Sequence, residues 1–499
     1  MSCTPFSWAP PRQRRRARCW PSRCSAGAPG VMLRIAMSDR IAAVRATPEV
    51  TGLIEAIRDA AQRLDIKTYL VGGFVRDRLR GAEAKDLDLV TVGADGVPLL
   101  ADVADRFGWA PPQRFERFGT AQIRGDDFIV EVVRARSERY DPESRKPDVR
   151  PGTLEEDVMR RDFTVNALCQ TLEGQIIDIT GSGLDDLRAG VLRTPVPPQD
   201  TFSEDPLRMF RAARFVAQLG FRLAGGIEAA MRSQAHRVEI LSIERVSDEL
   251  RRLLLAPLPS AGIRVLHRGG LLVHVLPEVV AMIGVEQGGF HTHDVYEHTL
   301  LALDRTPPDL VTRAATLLHD IGKPPTHAIA DDGRHTFHDH PQLGAAMARD
   351  MLTRLRFSND EIDAVALLVQ LHLRPIQYDR ETFGDAAVRR LIVDAGAHRS
   401  RMLAVARADT EASAFPTIAG IVELEERMAR LDAGAQVSRM TDPIDGDEIM
   451  AMANRGPGPW VGRVKAAIRE AVLDGTIPLD DAQAARRWLR EHPELLSSA

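Results

Sequence analysis

Gly72-Gly73-Phe-Val-Arg76-Asp77 closes one extended run and opens a helical one, and nine residues beyond it stands Asp86-Leu-Asp88. This pairing constrains the fold more than any other feature of the chain. Lys67–Val71 reads as a strand broken by the two glycines, so bare backbone N–H groups and the Arg76 guanidinium converge on one point suited to phosphate. Along a strand over Asp86–Val92, the period of two puts both carboxylates on one face. Like charges so placed repel unless a cation lies between them, and oxygen-only ligands on a rigid strand are what Mg2+ accepts. Glu131, on a following hairpin strand, either completes a carboxylate trio or pairs with Arg134 at the surface. The plain alternatives are a solvated Asp-x-Asp and an ordinary tight turn.

Around this pair, hydrophobic periodicity predicts helices over Thr51–Leu64, from Val75, and over Val97–Phe107. It predicts a hairpin of Thr120–Ile123 with Phe128–Val133 around Gly125-Asp126, and a strand over Gln175–Ile179. Strands and helices therefore mix up to about residue 195. Thr194–Asp200 is a Pro-rich hinge, and beyond it Glu204–Leu255 is almost wholly helical, with no convincing strand in the rest of the chain. Segment 137–152, polar and Pro-rich, predicts a mobile loop. A histidine-rich helical section spans 288–412, and Gly456-Pro-Gly-Pro459 punctuates a helical tail.

With 499 residues, 44% apolar and 27% charged, the chain can bury several cores, which excludes disordered and collagen-like classes. The densest apolar run, Ala364 to Leu373, stops at about ten residues and contains Gln370 and His372, short of the roughly 18 a membrane helix needs. Of four cysteines, only Cys169 lies beyond the first 24 residues, which fits a reducing cytoplasm rather than a disulfide scaffold. Residues 1–38 are rich in Arg and free of acid. They read as a dispensable extension upstream of a true start at Met32 or Met37, as a basic tail, or as a targeting signal. Net charge is −5 overall, so an RNA partner requires a local basic groove, for which Arg245, Arg251 and Arg252 are candidates.

Two further strings repeat the basic theme: Arg160-Arg161-Asp162-Phe-Thr-Val-Asn166 and Glu204-Asp205-Pro-Leu-Arg208-Met-Phe-Arg211-Ala-Ala-Arg214-Phe215. On a helix, spacing by three keeps Asp205, Arg208, Arg211 and Arg214 on one stripe, which in the plainest reading is a solvated charged face. A sharper reading follows from donor inventories: a carboxylate only accepts and a guanidinium only donates. Cytosine and adenine offer an amino donor beside a ring acceptor and satisfy such a pair. Uracil and guanine present the reverse and leave buried groups unpaired at about 1–3 kcal/mol each.

Taken in order, these four motifs resemble the class II CCA-adding tRNA nucleotidyltransferase and bacterial poly(A) polymerase family. The resemblance implies an α+β chain with a polymerase-beta-like nucleotidyltransferase head built on a mixed sheet, then an all-α neck, an HD domain and a helical tail. It implies that Asp86 and Asp88 bind Mg2+ as the catalytic pair. Gly73, Arg76 and Arg161 would hold the triphosphate, Asp205 with Arg208 would serve as an amino-acid template, and Arg211 and Arg214 would assist. The substrates implied are the tRNA 3′ end, CTP and ATP, with in-line two-metal nucleotidyl transfer. The polar loop after Tyr140 would move as C addition gives way to A addition. His298, the pair His319-Asp320, His340, His372 and Asp409 resemble an HD phosphohydrolase domain. In that domain His298, His319, Asp320 and Asp409 would ligate a divalent transition metal, with His340 and His372 binding phosphate or a second metal.

The expected division is an Arg-rich extension over 1–38, the head over 39–195, the neck over 196–284, the HD domain over 285–415 and the tail over 416–499. A poly(A) polymerase is the close rival, disfavoured because Phe118-Gly-Thr-Ala stands where a basic Gly-Arg-Arg-Phe signature is expected. A third alternative is an HD-type phosphatase or cyclic phosphodiesterase that borrows the head for RNA docking.

Overall fold

A computed structural model describes residues 48–497 apart from 85, 116–118, 126, 140–147, 289–291, 415–416 and 436–441. The Arg-rich extension, the centre of the polar loop and Phe118 lie outside the described residues.

In the head, apolar positions on one face of α1 (Pro48–Arg63), among them Leu53, Ile57 and Ala60, are buried against a seven-stranded mixed sheet. The strands are β1 (Lys67–Val71), β2 (Asp86–Val92), β3 (Gln113–Phe115), β4 (Thr120–Arg124), β5 (Ile129–Arg134), β8 (Cys169–Thr171) and β9 (Ile176–Ile177). Their order is β3-β4-β5-β2-β1-β8-β9. Only β2 and β5 run parallel within it, in a register that sets Asp88 opposite Glu131. Helices α2 (Gly72–Leu79) and α3 (Val97–Phe107) bury Phe74, Val75, Leu99 and Leu100 in the core beneath the sheet. Val71, Val90, Val158 and Cys169 form a second, smaller apolar layer.

Three sequence expectations need correction here. The helix after β1 begins at Gly72, not Val75, because the glycine itself takes the turn. Segment 137–152 is not wholly loop: β6 (Arg136–Arg139) and β7 (Asp148–Pro151) pair antiparallel at its two ends. The strand expected over Gln175–Ile179 shrinks to Ile176–Ile177, paired with β8, a three-residue strand too short to leave a periodic signal.

At the end of the head, β10 (Val191–Leu192) pairs in parallel with β11 (Arg222–Leu223), and further on a hairpin joins β12 (His327–Ile329) to β13 (His335–Phe337). Strands therefore do occur beyond residue 195, each only two or three residues long. The rest is helical. A break at Pro206 separates α5 (Pro198–Glu204) from α6 (Leu207–Leu219), and α7 (Ile243–Leu254) packs on α6. One continuous apolar core runs from Val191 to Leu473, joining these helices to α8 (Val295–Arg305), α9 (Leu310–Leu318), α10 (His340–Arg354), α11 (Asn359–Leu371) and α12 (Arg399–Ala412). A separate tail core gathers Ile449, Trp460, Ile468 and Leu489. Among the described residues no helix is long and apolar enough to cross a membrane.

Arg251 of α7 is committed to this packing rather than to an RNA groove. It donates to both carboxylate oxygens of Glu361 at 2.7 and 2.8 Å and lies 3.8 Å from the centre of the Phe357 ring. Glu361 also closes the capping box of α11 with Ser358. Hydrogen bonds from Arg251 bring its carboxyl down from the ordinary 4.5 to about 2. A depressed carboxylate contributes stability that is whole above its unfolded pKa and is lost as the pH falls through 4.5 towards 2. Glu361→Gln is therefore expected to cost about 1 kcal/mol at pH 7, since the pair is partly solvated. Its stability should also fall less steeply with acid. Denaturant titrations of both proteins at pH 7 and pH 3 check this: parallel losses would sink it.

Candidate active site

The exit of β1 shapes the site. Gly72 has φ of +72°, and a Cβ there would lie 3.0 Å from Asp88 Oδ2 and 3.4 Å from Arg161 Nη1, so only glycine lets the chain turn this close to the acids. Asp86 and Asp88 share a face of β2, as the alternation predicts, with Leu87 buried between them. Burial and the charge of Glu131 push the Asp88 carboxyl up to about 6, against the opposing pull of Arg161. Glu131 itself is raised by burial. Arg134, its alternative partner, donates to the Gly93 carbonyl at 3.2 Å. Asp88 and Glu131, opposite each other in the β2–β5 register, and Asp86 on the same face of β2 offer only oxygen donors, which fit a hard divalent cation.

Opposite them, the buried Arg76 donates to both oxygens of Asp77 at 2.9 and 2.7 Å and to Asn166 Oδ1 at 2.6 Å. Arg161 is aimed by Asp157 Oδ2 at 2.9 Å, one turn earlier on α4 (Leu154–Met159). Burial pushes the Asp157 carboxyl up, but Arg161 and Arg160 outweigh it and hold the group low. Asp162 is a buried hub that accepts from the Phe163 backbone, Asn166 and Arg211 at 2.8, 3.0 and 2.7 Å.

The string from Asp205 behaves differently from one helical stripe. A residue before proline is driven out of the α region, and Asp205 is extended, with φ −138° and ψ 102°, ending α5 before Pro206. Its Oδ1 accepts from the Leu207 backbone and its Oδ2 from Arg245 Nη2, both at 3.1 Å. Arg208 turns away from Asp205: its Nη1 donates to Glu204 at 2.8 Å and to the Thr201 carbonyl at 3.1 Å, and its Nη2 to the Arg160 carbonyl at 2.6 Å. Arg214 donates to Glu249 at 2.5 Å and covers the face of Phe215. A cavity of about 690 Å3 brings the two halves together, lined by Gly73, Arg76, Asp86, Asp88, Asp205 and Arg252 with their neighbours. Sequence reasoning missed Asn166, Asp157 and Glu249 as organisers. Asp157 and Glu249 stand among other charged residues of their helices, and Asn166 within a basic string, so nothing in the sequence singles out their partners.

A second cluster lies in the α8–α12 bundle. His298, His319 and Asp409 form one group of buried donors, and Asp320, His340 and His372 another, each within 4.8 Å. The expected quartet of His298, His319, Asp320 and Asp409 is thus divided, with Asp320 grouping with the two later histidines. His298 Nε2 lies 2.9 Å from Asp409 Oδ1, and Asp320 Oδ1 is 3.5 Å from His340 Nε2 and 3.8 Å from His372 Nε2. The groups touch through His319 Nε2, 3.2 Å from Asp320 Oδ2 and 3.8 Å from Asp409 Oδ2. Carbonyls of Thr316, Phe337 and Val369 accept from the Nδ1–H of His319, His340 and His372 at 2.7, 2.8 and 2.7 Å, which turns each Nε2 toward the cluster. Neither Nε2 of His340 nor that of His372 has a hydrogen-bond partner. Burial and the charge of His319 bring His372 down to about 4. Burial lowers His319, but Asp320 and Asp409 outweigh it and raise it to about 9, so a metal takes the place of its proton; imidazoles and carboxylates buried together fit divalent transition metals.

Comparison with known proteins matches residues 68–193 to the Poly A polymerase head domain, 220–283 to the probable RNA and SrmB-binding site of polymerase A, and 290–412 to the HD domain. The chain is 36% identical to the A-adding tRNA nucleotidyltransferase of Deinococcus radiodurans, over 85% of this chain and 96% of that protein. It is 32% identical to the CC-adding tRNA nucleotidyltransferase of Thermus thermophilus, over 82% and 90%. In fold it is similar to the Bacillus stearothermophilus CCA-adding enzyme solved with CTP, with a TM-score of 0.65, 24% identity and coverage of 89% and 97%.

Proposed function

We propose, for a chain that belongs to the tRNA nucleotidyltransferase family, that it adds CMP, CMP and AMP to the 3′ end of tRNA from CTP and ATP without a nucleic-acid template. The observation that carries this reading is the single cavity onto which the β2 carboxylates, the buried arginines and Asp205 converge. Relatives covered over nearly their full lengths, one named as A-adding and one as CC-adding, support nucleotide addition to tRNA. Asp86 and Asp88, with Glu131 beside them, would hold Mg2+. When bound, it would supply charge neutralisation at the reacting and departing phosphate oxygens.

The protein's own part is placement. Gly73, Arg76 and Arg161 grip the triphosphate, Asp157 and Asn166 keep the two guanidiniums aimed, and the tRNA 3′ oxygen displaces pyrophosphate at the α-phosphorus. Asp205 accepts from the base amino group. Arg208, with three of its contacts already made within the protein, keeps N–H donors for the adjacent ring nitrogen, and Arg211 and Arg214 support the pair. This reading divides the chain into head (39–195), neck (196–284), HD domain (285–415) and tail (416–499), and the three matched segments support that division. Substrates of this kind place the work in the cytoplasm.

Purified protein offered tRNA transcripts ending before CCA, after C or after CC, with each nucleotide supplied separately, tests the reading. CMP, CMP and AMP should enter in turn, with UMP and GMP at least about tenfold slower. UMP or GMP entering as fast as CMP, or AMP added without limit, would overturn it. A second reading rests on the paired donor groups of the bundle: the HD domain binds divalent transition metal and hydrolyses phosphoesters.

A further inference from the structure

We infer that Arg245 is the residue that aims Asp205 at the incoming base, a positioning residue for nucleotide choice. The inference rests on the reading of Asp205 as the acceptor for the base amino group. Because Pro206 forces Asp205 out of helical geometry, no helix wall fixes its side chain. Its carboxylate is held instead by two donors from different elements: the Leu207 N–H in the first turn of α6 on Oδ1, and Arg245 Nη2 in the first turn of α7 on Oδ2. A carboxylate offers about four lone-pair sites, so two stay open toward the cavity that both residues line. With one donor on each oxygen, rotation about the last side-chain bond is blocked. With Arg245 removed, one oxygen is released and the plane of the group is no longer set.

Two facts separate this role from a structural one. The Arg245 side chain is 49% exposed, and exposed ion pairs contribute little to stability, so the contact has small weight in holding the fold. Arg208, three residues along, makes no such contact with Asp205: its Nη1 serves Glu204 and the Thr201 carbonyl, and its Nη2 is turned to the Arg160 carbonyl. One turn further along α7, Glu249 meets Arg214 at 2.5 Å and Arg211 at 3.8 Å. The helix thus sets a basic residue against the acid of the template and an acid against its bases.

The test is steady-state addition to a tRNA transcript ending before CCA, with CTP and UTP as alternative substrates, for Arg245→Ala, Arg245→Lys, Asp205→Asn and the double variant Asp205→Asn/Arg245→Ala. Arg245→Ala should raise the KM for CTP and narrow the CTP-over-UTP ratio of kcat/KM by roughly tenfold, with kcat less affected. Arg245→Lys, which restores a charged donor, should recover most of the ratio. Once Asp205 is Asn, removing Arg245 should change the ratio no further. An unchanged ratio in Arg245→Ala, or an equal loss in the Asp205→Asn background, overturns the inference. A ratio that survives Asp205→Asn overturns the base-reading role of Asp205, and with it the route by which Arg245 acts. If the Ala variant does not fold, Arg245→Leu, which also lacks a donor, takes its place in the same cycle.

Discussion

Asp88→Asn is expected to lower nucleotide addition by at least about 10^3 and at the same time to make the protein more resistant to denaturant in the absence of divalent cation. Both effects come from the same crowding. Asp88 is half-buried beside Glu131 and Asp86, with a carboxyl pushed up to about 6 from the ordinary 3.8. An acid raised in this way folds most favourably when protonated, so stability is lost as the pH rises from 3.8 through 6 and stays lost above it. By linkage the ionised group costs up to roughly 3 kcal/mol at pH 7. The amide removes that repulsion and also the negative oxygen that Mg2+ requires. Single-turnover incorporation and denaturant melts, each with EDTA and with Mg2+, check the pair of effects. Mg2+ should stabilise the native protein and do little for the variant. Addition within about tenfold of the native rate would remove the basis for placing the chemistry on β2.

How much of this was legible in the sequence depended on how local the cause was. The β2 acids, the glycine turn and His319-Asp320 are readable because each is set by a period of two, a φ requirement or adjacency along the chain. What failed were statements about who pairs with whom across distance. Arg251 reads as a groove residue until Glu361, 110 positions on, is seen beside it. Three-residue spacing suggests one helical stripe from Asp205 to Arg214, although Pro206 already forbids Asp205 from sharing it. The grouping of Asp320 with His340 and His372 depends on how α9, α10 and α11 pack together, which no window of sequence contains. The strands missed, β3, β6–β8 and β10–β13, have two to four residues each, too few for a period to declare itself.

The bundle supplies the other large expected effect. If the two donor groups act as two sites, metal analysis of protein dialysed against Zn2+, Mn2+ or Co2+ should find about two ions per chain held by them. His372→Ala should bring that to about one, and Asp320→Ala should abolish phosphoester hydrolysis. The thermodynamic reason lies in the cluster itself. Three carbonyl-tethered imidazoles and two acids are held in a dry space by the fold, Asp320 against Lys323 at 2.7 Å and Asp409 against His298 at 2.9 Å, so little ordering of the ligands is left for an ion to cost. At a hundred times its Kd a metal adds about 2.7 kcal/mol. Melting with and without chelator should therefore separate native protein from His372→Ala more clearly than either alone. Because α9, α11 and the template helices α6 and α7 share one apolar core, that stabilisation should be felt by the neck as well. A chelator that left the melting of the native protein unmoved, with no ion found by analysis, would show that the imidazoles satisfy one another and that the bundle serves only as scaffold.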